Sequence, residues 1–356
     1  MKRSIIFTGG GSGGHTVPAL SIINKIDRTK YNIFFIGSKK GIENTLLRHR
    51  VDGYYAVITG KIRHRFTLMN IMGIICTIIG IFQVLFIYIS KLPKKDVILF
   101  STGGYVSIPA VLAFFIARKS IYIHEQTSRV GLANKFASLF AYKVLISFDH
   151  SRKFLPPNKV ICTGYPIREE IFNYSQKHSH SSHGKKPQLY ITGGGNGSLL
   201  INSLIKDNID TLKKDYTIIH QTGSRFIHEF KDYIDDNYIC RDFITDDFPQ
   251  ILQSSDIIIT RAGAGIVSEV IALDKNAIFI PLKIARGNEQ YFNALEATKK
   301  VNALIINEDE LSISVLLNSI DQLLTSDTSG KPQSSHMLEN PADTILRIIE
   351  NTYNKE

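Results

Sequence analysis

Residues 4–15 read SIIFTGGGSGGH, an apolar run followed at once by a series of glycines. The run at residues 5–7 predicts a buried β-strand, and the pattern from about Pro18 predicts a helix. Glycines at such a turn let the backbone approach a ligand, and the helix N-terminus offers free N–H groups to a phosphate. A second segment, Gly193-Gly194-Gly195-Asn196-Gly197, again lies between a predicted strand and a predicted helix. Two such loops predict two α/β domains that share a phosphorylated ligand.

Short apolar runs recur along the whole chain, and each is followed by a pattern typical of a helix. Alternating strands and helices predict parallel sheets with helices on both faces. The fold class is therefore α/β, with two Rossmann-like domains facing a cleft. The predicted strands are Ser4–Thr8, Asn32–Ile36, Tyr54–Ile58, Asp96–Ser101, Ser120–His124, Lys143–Ser147, Gln188–Thr192, Tyr216–His220, Asp256–Thr260, Asn276–Pro281 and Ala303–Ile306.

The length of the chain, 356 residues, also favours two domains over one compact core. A polar stretch without periodicity, Asn173–Pro187, marks the boundary between them. The predicted division is an N-terminal domain at 1–170, a linker at 171–187, a C-terminal domain at 188–338 and a C-terminal helix at 339–356. That helix could pack on either domain, including back on the first.

The composition describes a basic, globular protein. Hydrophobic residues make up 44% of the chain, enough for a core in each domain, and the net charge is +10. Such a charge attracts nucleic acids, anionic lipids or phosphorylated substrates. The sequence contains no nucleic-acid-binding motif, so we expect diphosphates and an anionic membrane surface as partners and no nucleic acid. The three cysteines have no metal-ligand spacing and suit a reducing cytosol.

The stretch Leu68–Ile89 is apolar and long enough to span a bilayer. A span would, however, separate predicted strands that have to share one sheet. We therefore expect a helix on the N-terminal domain, with Asn70, Gly73, Thr77 and Gly80 on one face. The flanks are basic, with Lys61, Arg63, His64 and Arg65 before the stretch and Lys91, Lys94 and Lys95 after it. These features favour docking on an anionic membrane, and the alternative is a fully buried crossover helix.

The first glycine loop taken alone matches the Gly-x-Gly-x-x-Gly fingerprint of dinucleotide-binding domains. That fingerprint requires an acidic residue at the end of the second strand to bind the ribose. Here the second strand ends Ile36-Gly37-Ser38-Lys39-Lys40, without a carboxylate. NAD is therefore disfavoured, whereas Lys39 leaves an NADP-dependent oxidoreductase open as an alternative.

Two further segments open helices in the second half of the chain. In Thr260–Glu269, small residues leave room for a diphosphate at a helix start, and Glu269 could accept hydrogen bonds from a ribose diol or simply stabilise the helix dipole. In Ala285–Tyr291, the pair Glu289-Gln290 could bind sugar hydroxyls. The sequence shows no acidic motif for a metal ion at a strand end.

In combination, these segments resemble the MurG family, whose members transfer N-acetylglucosamine from UDP-N-acetylglucosamine to a lipid-linked muramyl-peptide. The resemblance extends from the first strand to about Asn307. It implies the glycosyltransferase-B fold and peripheral association with the cytoplasmic face of the membrane. The matching segments are GGGSGGHTVPAL, STGGYVSIP, HEQTSRVGLANK, TGYPIR, ITGGGNGS, DFITDDFP, RAGAGIVSE and RGNEQYFNA.

The resemblance also implies a place for each matching residue. His15 and Glu125 are the catalytic candidates in the acceptor cleft. The expected donor-side residues are Ser12, Gly13, Gly14, Thr127, Arg168, Gly195, Ile244, Arg261, Ala264, Gly265, Ile266, Val267, Ser268, Glu269, Glu289 and Gln290, and the acceptor-side residues are Gly103, Gly104, Tyr105 and Asn134. Many relatives have Ser in place of Gly195, and Asn in place of Thr127 and Tyr165.

The implied reaction is an inverting displacement in which the acceptor 4-hydroxyl attacks the anomeric carbon and UDP leaves. Backbone N–H groups, the helix start at Ala264 and Arg168 would stabilise the leaving charge, so no cofactor or metal is expected. His15 is the expected general base because the unperturbed pKa of histidine lies near operating pH, although it could instead serve only to hold the loop. The alternatives are a transferase with another lipid acceptor, the NADP-dependent oxidoreductase and an inactive sugar-nucleotide-binding protein.

Overall fold

The structure is a computed structural model that describes residues 2–61, 68–177, 186–326 and 339–353. The chain forms two compact units. The first comprises Met1–Ile167 together with Glu339–Glu356, and the second comprises Arg168–Leu338.

Each unit is built on one parallel sheet. The first sheet has the strand order β3-β2-β1-β4-β5-β6-β7 and the second β10-β9-β8-β11-β12-β13. In both, the chain starts near the centre, winds to one edge and then crosses to the other, as in doubly wound α/β folds. The strands are β1 Arg3–Thr8, β2 Tyr31–Gly37, β3 Gly53–Ala56, β4 Val97–Ser101, β5 Ile121–Glu125, β6 Lys143–Ile146, β7 Val160–Cys162, β8 Gln188–Thr192, β9 Thr217–Gln221, β10 Tyr238–Arg241, β11 Ile257–Thr260, β12 Asn276–Phe279 and β13 Ala303–Ile305.

The helices cover both faces of the sheets. They are α1 Gly13–Lys25, α2 Ile42–Leu47, α3 Leu68–Lys91, α4 Ile108–Ile116, α5 Leu132–Ala137, α6 Glu169–Lys177, α7 Leu199–Lys206, α8 Ile209–Asp215, α9 Phe248–Ser254, α10 Ala264–Ala272, α11 Glu289–Thr298, α12 Ile313–Thr325 and α13 Pro341–Tyr353. In β1, Ile5 and Phe7 point into a core with α1, α2 and α13, whereas Ile6 points into a core with α3, α4 and α5. This alternation follows from the two-residue period of a strand.

The C-terminal helix α13 packs on the first unit. Ala342, Ile345 and Ile349 are fully buried in the core that contains α1. The Tyr353 hydroxyl donates a hydrogen bond of 2.8 Å to the Ser4 carbonyl. The amphipathic pattern of this helix left its position open, and these contacts assign it to the first unit.

The boundary between the units differs from the sequence expectation of a linker at 171–187. The second unit begins at Arg168, and residues 169–177 form α6, which packs against α9 and α10. Ile171 anchors the helix because its side chain is fully buried. The remaining α6 residues are mostly polar, so the sequence pattern resembled a loop. Residues 178–185 of the predicted linker lie outside the described residues.

Two strands and one helix start were not predicted correctly. The sequence pattern missed β7 and β10, which are short edge strands and therefore bury few side chains. It also placed the start of the first helix near Pro18, whereas α1 begins at Gly13. Glycine and proline lower helix propensity, so the first turn of α1 was hidden from the pattern.

Helix α3 is long and apolar enough over Asn70–Lys91 to cross a membrane, but the core helix of a soluble protein meets the same criteria. It connects β3 to β4, and both strands belong to the same parallel sheet. A span would place strands of one sheet on opposite sides of a bilayer. Helix α3 is therefore a crossover helix on the first unit.

The small and polar face of α3 is the face that packs on the protein. Asn70 and Val84 are buried, and a Cβ atom on Gly80 would lie only 2.2 Å from the Ile58 carbonyl oxygen. The large apolar side chains point outward, and Phe82 and Phe86 are 68% and 66% exposed. Only 22% of the apolar window is buried. The alternative of a fully buried crossover helix is therefore wrong.

Candidate active site

The second unit contains a cavity of about 670 Å³ at the carboxyl edge of its sheet. Ligands of open parallel sheets bind at this edge, where helix N-termini and strand-following loops converge. The second glycine loop, Gly193–Gly197, forms part of the wall. The other expected residues that line the cavity are Arg168, Ile244, Arg261, Ile266, Glu269 and Gln290.

The N-terminus of α10 opens into this cavity. Gly263 is the N-cap residue and provides no side-chain hydrogen bond, and a Cβ atom there would meet nothing within 4 Å. The first-turn N–H groups at Ala264, Gly265 and Ile266 therefore have room for an anionic ligand. Val267 and Ser268 are buried and belong to the packed side of the helix.

Glu269 is buried in the second turn of α10 and pairs with Arg168. Arg168 donates from Nε and Nη2 to Glu269 Oε1, at 3.0 and 2.8 Å. Its guanidinium also lies 4.4 Å from the centre of the Phe248 ring. Burial raises the pKa of the Glu269 carboxyl, and the charge and hydrogen bonds of Arg168 oppose that rise. Because both bonds use Oε1, the second oxygen, Oε2, remains for a ligand.

The Gln290 amide has a defined orientation. Its Oε1 atom accepts hydrogen bonds from the N–H groups of Ala262, at 3.2 Å, and Leu282, at 3.0 Å. Its Nε2 group is thereby left as the donor that faces the cavity. Glu289 begins α11 beside it, but it is not among the described residues that line the cavity.

Arg261 lines the cavity, yet its guanidinium is occupied by protein groups. It donates to the Ile280 carbonyl at 3.0 Å and to Ser198 Oγ at 2.8 Å, and it forms an ion pair of 2.6 Å with Glu308. Ser198 follows the second glycine loop directly. These contacts favour a role for Arg261 in holding that loop over direct contact with a ligand.

Gln221, which was not predicted from the sequence, is buried at the end of β9 and also lines the cavity. Its Oε1 atom accepts the N–H of Ile244 at 3.0 Å, and its Nε2 donates to Thr192 Oγ1 and to the Gly194 carbonyl. Gln221 stands outside every motif, and its position at a strand end was the only available signal.

The first glycine loop has an internal partner that was also missed. The buried side chain of Glu43 accepts hydrogen bonds from the Gly11 N–H at 3.2 Å and from the backbone and hydroxyl of Ser38. The carboxylate thus satisfies a loop N–H that a dinucleotide phosphate would otherwise use. The expected residues Ser12, Gly13 and Gly14 open α1 in the first unit, where Ser12 and Gly14 are exposed.

His15 lies in the first turn of α1 with its ring orientation fixed. Its Nδ1 atom lies 2.9 Å from the Thr102 carbonyl and 3.3 Å from Gln126 Oε1. A carbonyl oxygen only accepts, so Nδ1 is the donor in this contact, and in the neutral tautomer that makes this hydrogen bond the unprotonated nitrogen is Nε2. This tautomer suits a general base.

Glu125, the other catalytic candidate, is buried at the end of β5 with both oxygens occupied. Oε1 accepts from the N–H and the hydroxyl of Thr127, at 3.0 and 2.8 Å. Oε2 accepts from the Gly131 N–H and from Asn134 Nδ2, at 3.1 and 3.0 Å. Four donors on one carboxylate favour a role in holding the 125–134 loop over a role in proton transfer.

The expected acceptor-side residues gather around the first glycine loop. Gly103 backs onto Asn134, Gly104 lies against Gly10 and His15, and the Tyr105 ring lies next to Gly11. Thr127, expected on the donor side, lies in the first unit, where its hydroxyl contacts Glu125 and the Arg129 carbonyl. Within the described residues, no three His, Cys, Asp or Glu side chains are grouped closely enough to bind a metal ion.

Comparison with known proteins gives matches over both units. Residues 5–146 match the glycosyltransferase family 28 N-terminal domain, and residues 188–348 match the glycosyltransferase family 28 C-terminal domain. A UDP-N-acetylglucosamine--N-acetylmuramyl-(pentapeptide) pyrophosphoryl-undecaprenol N-acetylglucosamine transferase of Clostridium novyi is 34% identical over 358 residues, which cover 98% of each chain. A protein of the same name from Bacillus cereus (strain ATCC 14579), numbered 2, is 34% identical and covers 98% of this chain and 99% of its own.

Solved structures agree on the fold. The crystal structure of Acinetobacter baumannii MurG superposes with a TM-score of 0.73 at 22% identity, covering 98% of this chain and 99% of that one. A UDP-GlcNAc 2-epimerase from Neisseria meningitidis bound to UDP-GlcNAc superposes with a TM-score of 0.62 at 14% identity, covering 99% and 100%. The expected fold class, two Rossmann-like domains of the glycosyltransferase-B type, is confirmed.

Proposed function

The chain belongs to the MurG family within glycosyltransferase family 28, and on that premise we propose that it transfers N-acetylglucosamine from UDP-N-acetylglucosamine to the 4-hydroxyl of lipid-linked N-acetylmuramyl-pentapeptide. The reaction is inverting and serves peptidoglycan synthesis, and so cell-wall growth, cell shape and division. The proposed acceptor is an undecaprenyl-diphosphate-linked muramyl-peptide, which is the acceptor that the relatives are named for. No nucleic acid takes part.

The observation that carries this proposal is the set of groups along the cavity of the second unit. The open N-terminus of α10 suits the diphosphate. The free oxygen of Glu269 suits the ribose hydroxyls, and the backbone of Ile244 suits the uracil. The Nε2 donor of Gln290 suits a hydroxyl of the N-acetylglucosamine ring. Each part of a nucleotide sugar thus has a complementary group.

The chemistry needs stabilisation of charge more than covalent catalysis. As the glycosidic bond breaks, negative charge builds up on the UDP diphosphate, next to the α10 N-terminus and the Arg168 guanidinium. Preformed donors at this place lower the barrier because they need no reorganisation during the reaction. We propose that no metal ion or other cofactor is required, so turnover should persist in a chelator.

The nucleophile is the acceptor hydroxyl, whose proton has to be removed as the new bond forms. We assign this step to His15, whose Nε2 is the unprotonated nitrogen when Nδ1 donates to Thr102. Glu125 is a weaker candidate because four donors already occupy its oxygens. The proposed role of Glu125 is to hold the 125–134 loop in position beside His15.

The proposed location is the cytoplasmic face of the membrane, with the protein bound peripherally. The outward face of α3 presents Phe82, Phe86 and Ile89 to solvent, and Lys91, Lys94 and Lys95 follow it on the exposed surface. Apolar side chains bordered by lysines suit an anionic lipid surface. Of the basic residues before the helix, Lys61 is exposed, whereas Arg63, His64 and Arg65 lie outside the described residues.

The test is turnover of UDP-N-acetylglucosamine by the purified protein with and without the lipid-linked muramyl-pentapeptide. We expect UDP release that depends on this acceptor, with N-acetylglucosamine appearing on the lipid product. UDP release at the same rate with and without the acceptor would contradict the proposal. Diacylglycerol, offered in parallel, tests the alternative of another lipid acceptor. Binding of UDP without turnover on either lipid would favour the alternative of an inactive binding protein.

A thermal-shift comparison of UDP-N-acetylglucosamine with NADPH tests the oxidoreductase alternative. Family membership already argues against that alternative, and so does the engagement of the Gly11 N–H by Glu43. We expect a shift with the nucleotide sugar and none with NADPH.

A further inference from the structure

Gln221 occupies the point where the second glycine loop meets the loop that follows β10. Its Oε1 atom accepts the Ile244 N–H at 3.0 Å and the Tyr190 hydroxyl at 3.5 Å. Its Nε2 group donates to Thr192 Oγ1 at 3.1 Å and to the Gly194 carbonyl at 3.3 Å. The side chain is buried at the edge of the cavity, so one amide joins three strand ends.

The donors and acceptors around Gln221 match an amide and no other side chain of this length. The Gly194 carbonyl accepts only, so the NH₂ group has to face it, and the oxygen then faces the Ile244 N–H. A glutamate here would bring a carboxylate oxygen against the Gly194 carbonyl. A leucine would remove the acceptor of both the Ile244 N–H and the Tyr190 hydroxyl.

The backbone on both sides of Gln221 is held by a second buried network. The His220 ring lies between the Tyr238 hydroxyl, at 2.8 Å, and Asn202 Oδ1, at 3.2 Å, and Asn202 Nδ2 donates to the Thr222 carbonyl. Burial lowers the pKa of His220 to about 3, so the ring is neutral and can donate on one side and accept on the other. Gln221 therefore projects from a rigid strand end.

We propose that Gln221 is a positioning residue that fixes which hydrogen-bonding group Ile244 offers to the base of the donor. The inference rests on the proposed function, in which Ile244 contacts the base through its backbone. With its N–H held by Gln221, Ile244 presents its carbonyl oxygen, which is an acceptor. The N3 atom of uracil carries a proton and can donate it to this carbonyl oxygen. The N3 atom of cytosine carries no proton and is itself an acceptor, so it cannot bond to the carbonyl oxygen. Gln221 thus favours uridine over cytidine nucleotides without touching the base.

The experiment measures the dissociation constants of UDP and CDP by calorimetry for the full-length protein. In the wild type we expect UDP to bind at least about tenfold more tightly than CDP, the effect of one mismatched hydrogen-bonding edge. In Gln221→Leu the Ile244 N–H is free to turn toward the unprotonated N3 of cytosine. We expect UDP affinity to fall about fivefold and the preference for UDP to shrink toward unity.

Two further variants separate positioning from mere support of the fold. Gln221→Glu keeps an acceptor for the Ile244 N–H, so it should lose affinity for both nucleotides and keep most of the preference. Thr192→Val removes one acceptor of Nε2 and should give a weaker form of the Gln221→Leu result, which preserves the test if that variant does not fold. Gln188→Leu is the matched control, because Gln188 lies at the start of the neighbouring strand and bonds to Ser254 and Ser255.

Equal losses of UDP and CDP affinity in Gln221→Leu would overturn the inference, as would a wild type without preference for UDP. A wild type that prefers UDP but transfers no N-acetylglucosamine to the lipid acceptor would instead overturn the proposed function. In that case the binding ratios still decide the role of Gln221. Absence of UDP binding by the wild type would overturn both.

Discussion

Arg168 and Glu269 form an ion pair in which both arginine hydrogen bonds fall on the same carboxylate oxygen, at 3.0 and 2.8 Å. The pair lies within the second unit, beside the cavity. Burial raises the pKa of Glu269, and the positive charge of Arg168 holds part of that rise back. The positive charge of Arg168 thus offsets part of the cost of burying this carboxylate, and the other carboxylate oxygen makes no bond to Arg168.

This relationship predicts a pH dependence of nucleoside binding. As the pH falls through the raised pKa of Glu269, its carboxylate takes up a proton and loses its strong acceptor character toward the ribose diol. The pKa of Glu269 is higher in the folded protein than in the unfolded chain, so the folded state takes up this proton more readily. As the pH falls, the contribution of Glu269 to the free energy of unfolding therefore rises, while nucleoside binding weakens. Arg168→Ala removes the opposing charge and should move the binding midpoint to higher pH.

The measurement is the affinity for uridine as a function of pH, because uridine carries no phosphate that would contact Arg168 directly. Arg168→Lys keeps the charge and should show a smaller displacement of the midpoint. An unchanged midpoint in Arg168→Ala would show that Glu269 does not govern nucleoside binding.

The proposed base role of His15 predicts that turnover and stability separate in variants of this residue. His15→Asn can keep a donor near the Nδ1 position for the Thr102 carbonyl but has no base. We expect kcat to fall by about 10²–10⁴, a typical contribution of general-base catalysis, while the melting temperature stays near that of the wild type. UDP affinity should not change, since the cavity is lined by residues of the second unit.

His49→Ala is the control for removal of a histidine from the first unit, because His49 is exposed. If His15→Asn retains turnover, the histidine serves only to hold the first glycine loop.

Substitution of Glu125 should lower stability more than turnover, which is the reverse of the result expected for His15. In Glu125→Gln, an NH₂ group replaces one oxygen and faces N–H or O–H donors instead of accepting from them. We expect a loss of about 1–3 kcal/mol in the free energy of unfolding, visible as a lower melting temperature, and a kcat within about tenfold of the wild type. Glu170→Gln, at an exposed position, should change neither quantity. A large loss of kcat at unchanged stability would restore Glu125 as a catalytic residue.

The sequence was most informative where the fold and the site depend on local pattern. Both glycine loops lie between a strand and a helix as expected, and the Arg261–Glu269 segment opens α10 at the cavity. These features are readable because a strand end, small residues and a helix start are neighbours in the chain. The roles of the individual site residues stay predictions.

The partners that fix the two loops could not be predicted in the same way. Glu43 reaches Gly11 across 32 positions and Gln221 reaches Ile244 across 23. Neither residue belongs to a motif, and only the parallel order of the strands brings the partners together. The commitment of Arg261 to Glu308 and Ser198 likewise depends on tertiary structure. Local sequence pattern thus predicts where the loops lie, whereas the residues that anchor them are brought together only by the tertiary structure.

The outward face of α3 predicts a membrane affinity that can be removed without damage to the donor site. The triple change Phe82→Ser, Phe86→Ser and Ile89→Ser alters three side chains that are largely exposed, so the fold should tolerate it. Each large apolar side chain contributes roughly 1.5–3 kcal/mol when it leaves water. We therefore expect binding to phosphatidylglycerol vesicles to weaken at least about a hundredfold while UDP affinity stays constant.

Ile284→Ser is the control, because Ile284 is a highly exposed apolar residue in the second unit. Vesicle binding that survives the triple change would assign membrane attachment to another surface.

The second glycine loop predicts contrasting effects for two neighbouring glycines. A Cβ atom on Gly195 would meet only the ring of Phe243, at 3.3 Å, and that side chain is 55% exposed and free to shift. A Cβ atom on Gly197, which has a φ of +73°, would lie 2.0 Å from the Thr222 carbonyl oxygen. Gly195→Ser should therefore fold normally and bind UDP-N-acetylglucosamine at least as tightly as the wild type, because its hydroxyl adds a hydrogen-bonding group at the cavity wall. Gly197→Ser should lower the melting temperature and weaken donor binding. Thermal unfolding and donor titration of both variants check this, and a Gly195→Ser protein that unfolds as readily as Gly197→Ser would contradict the geometry of the loop.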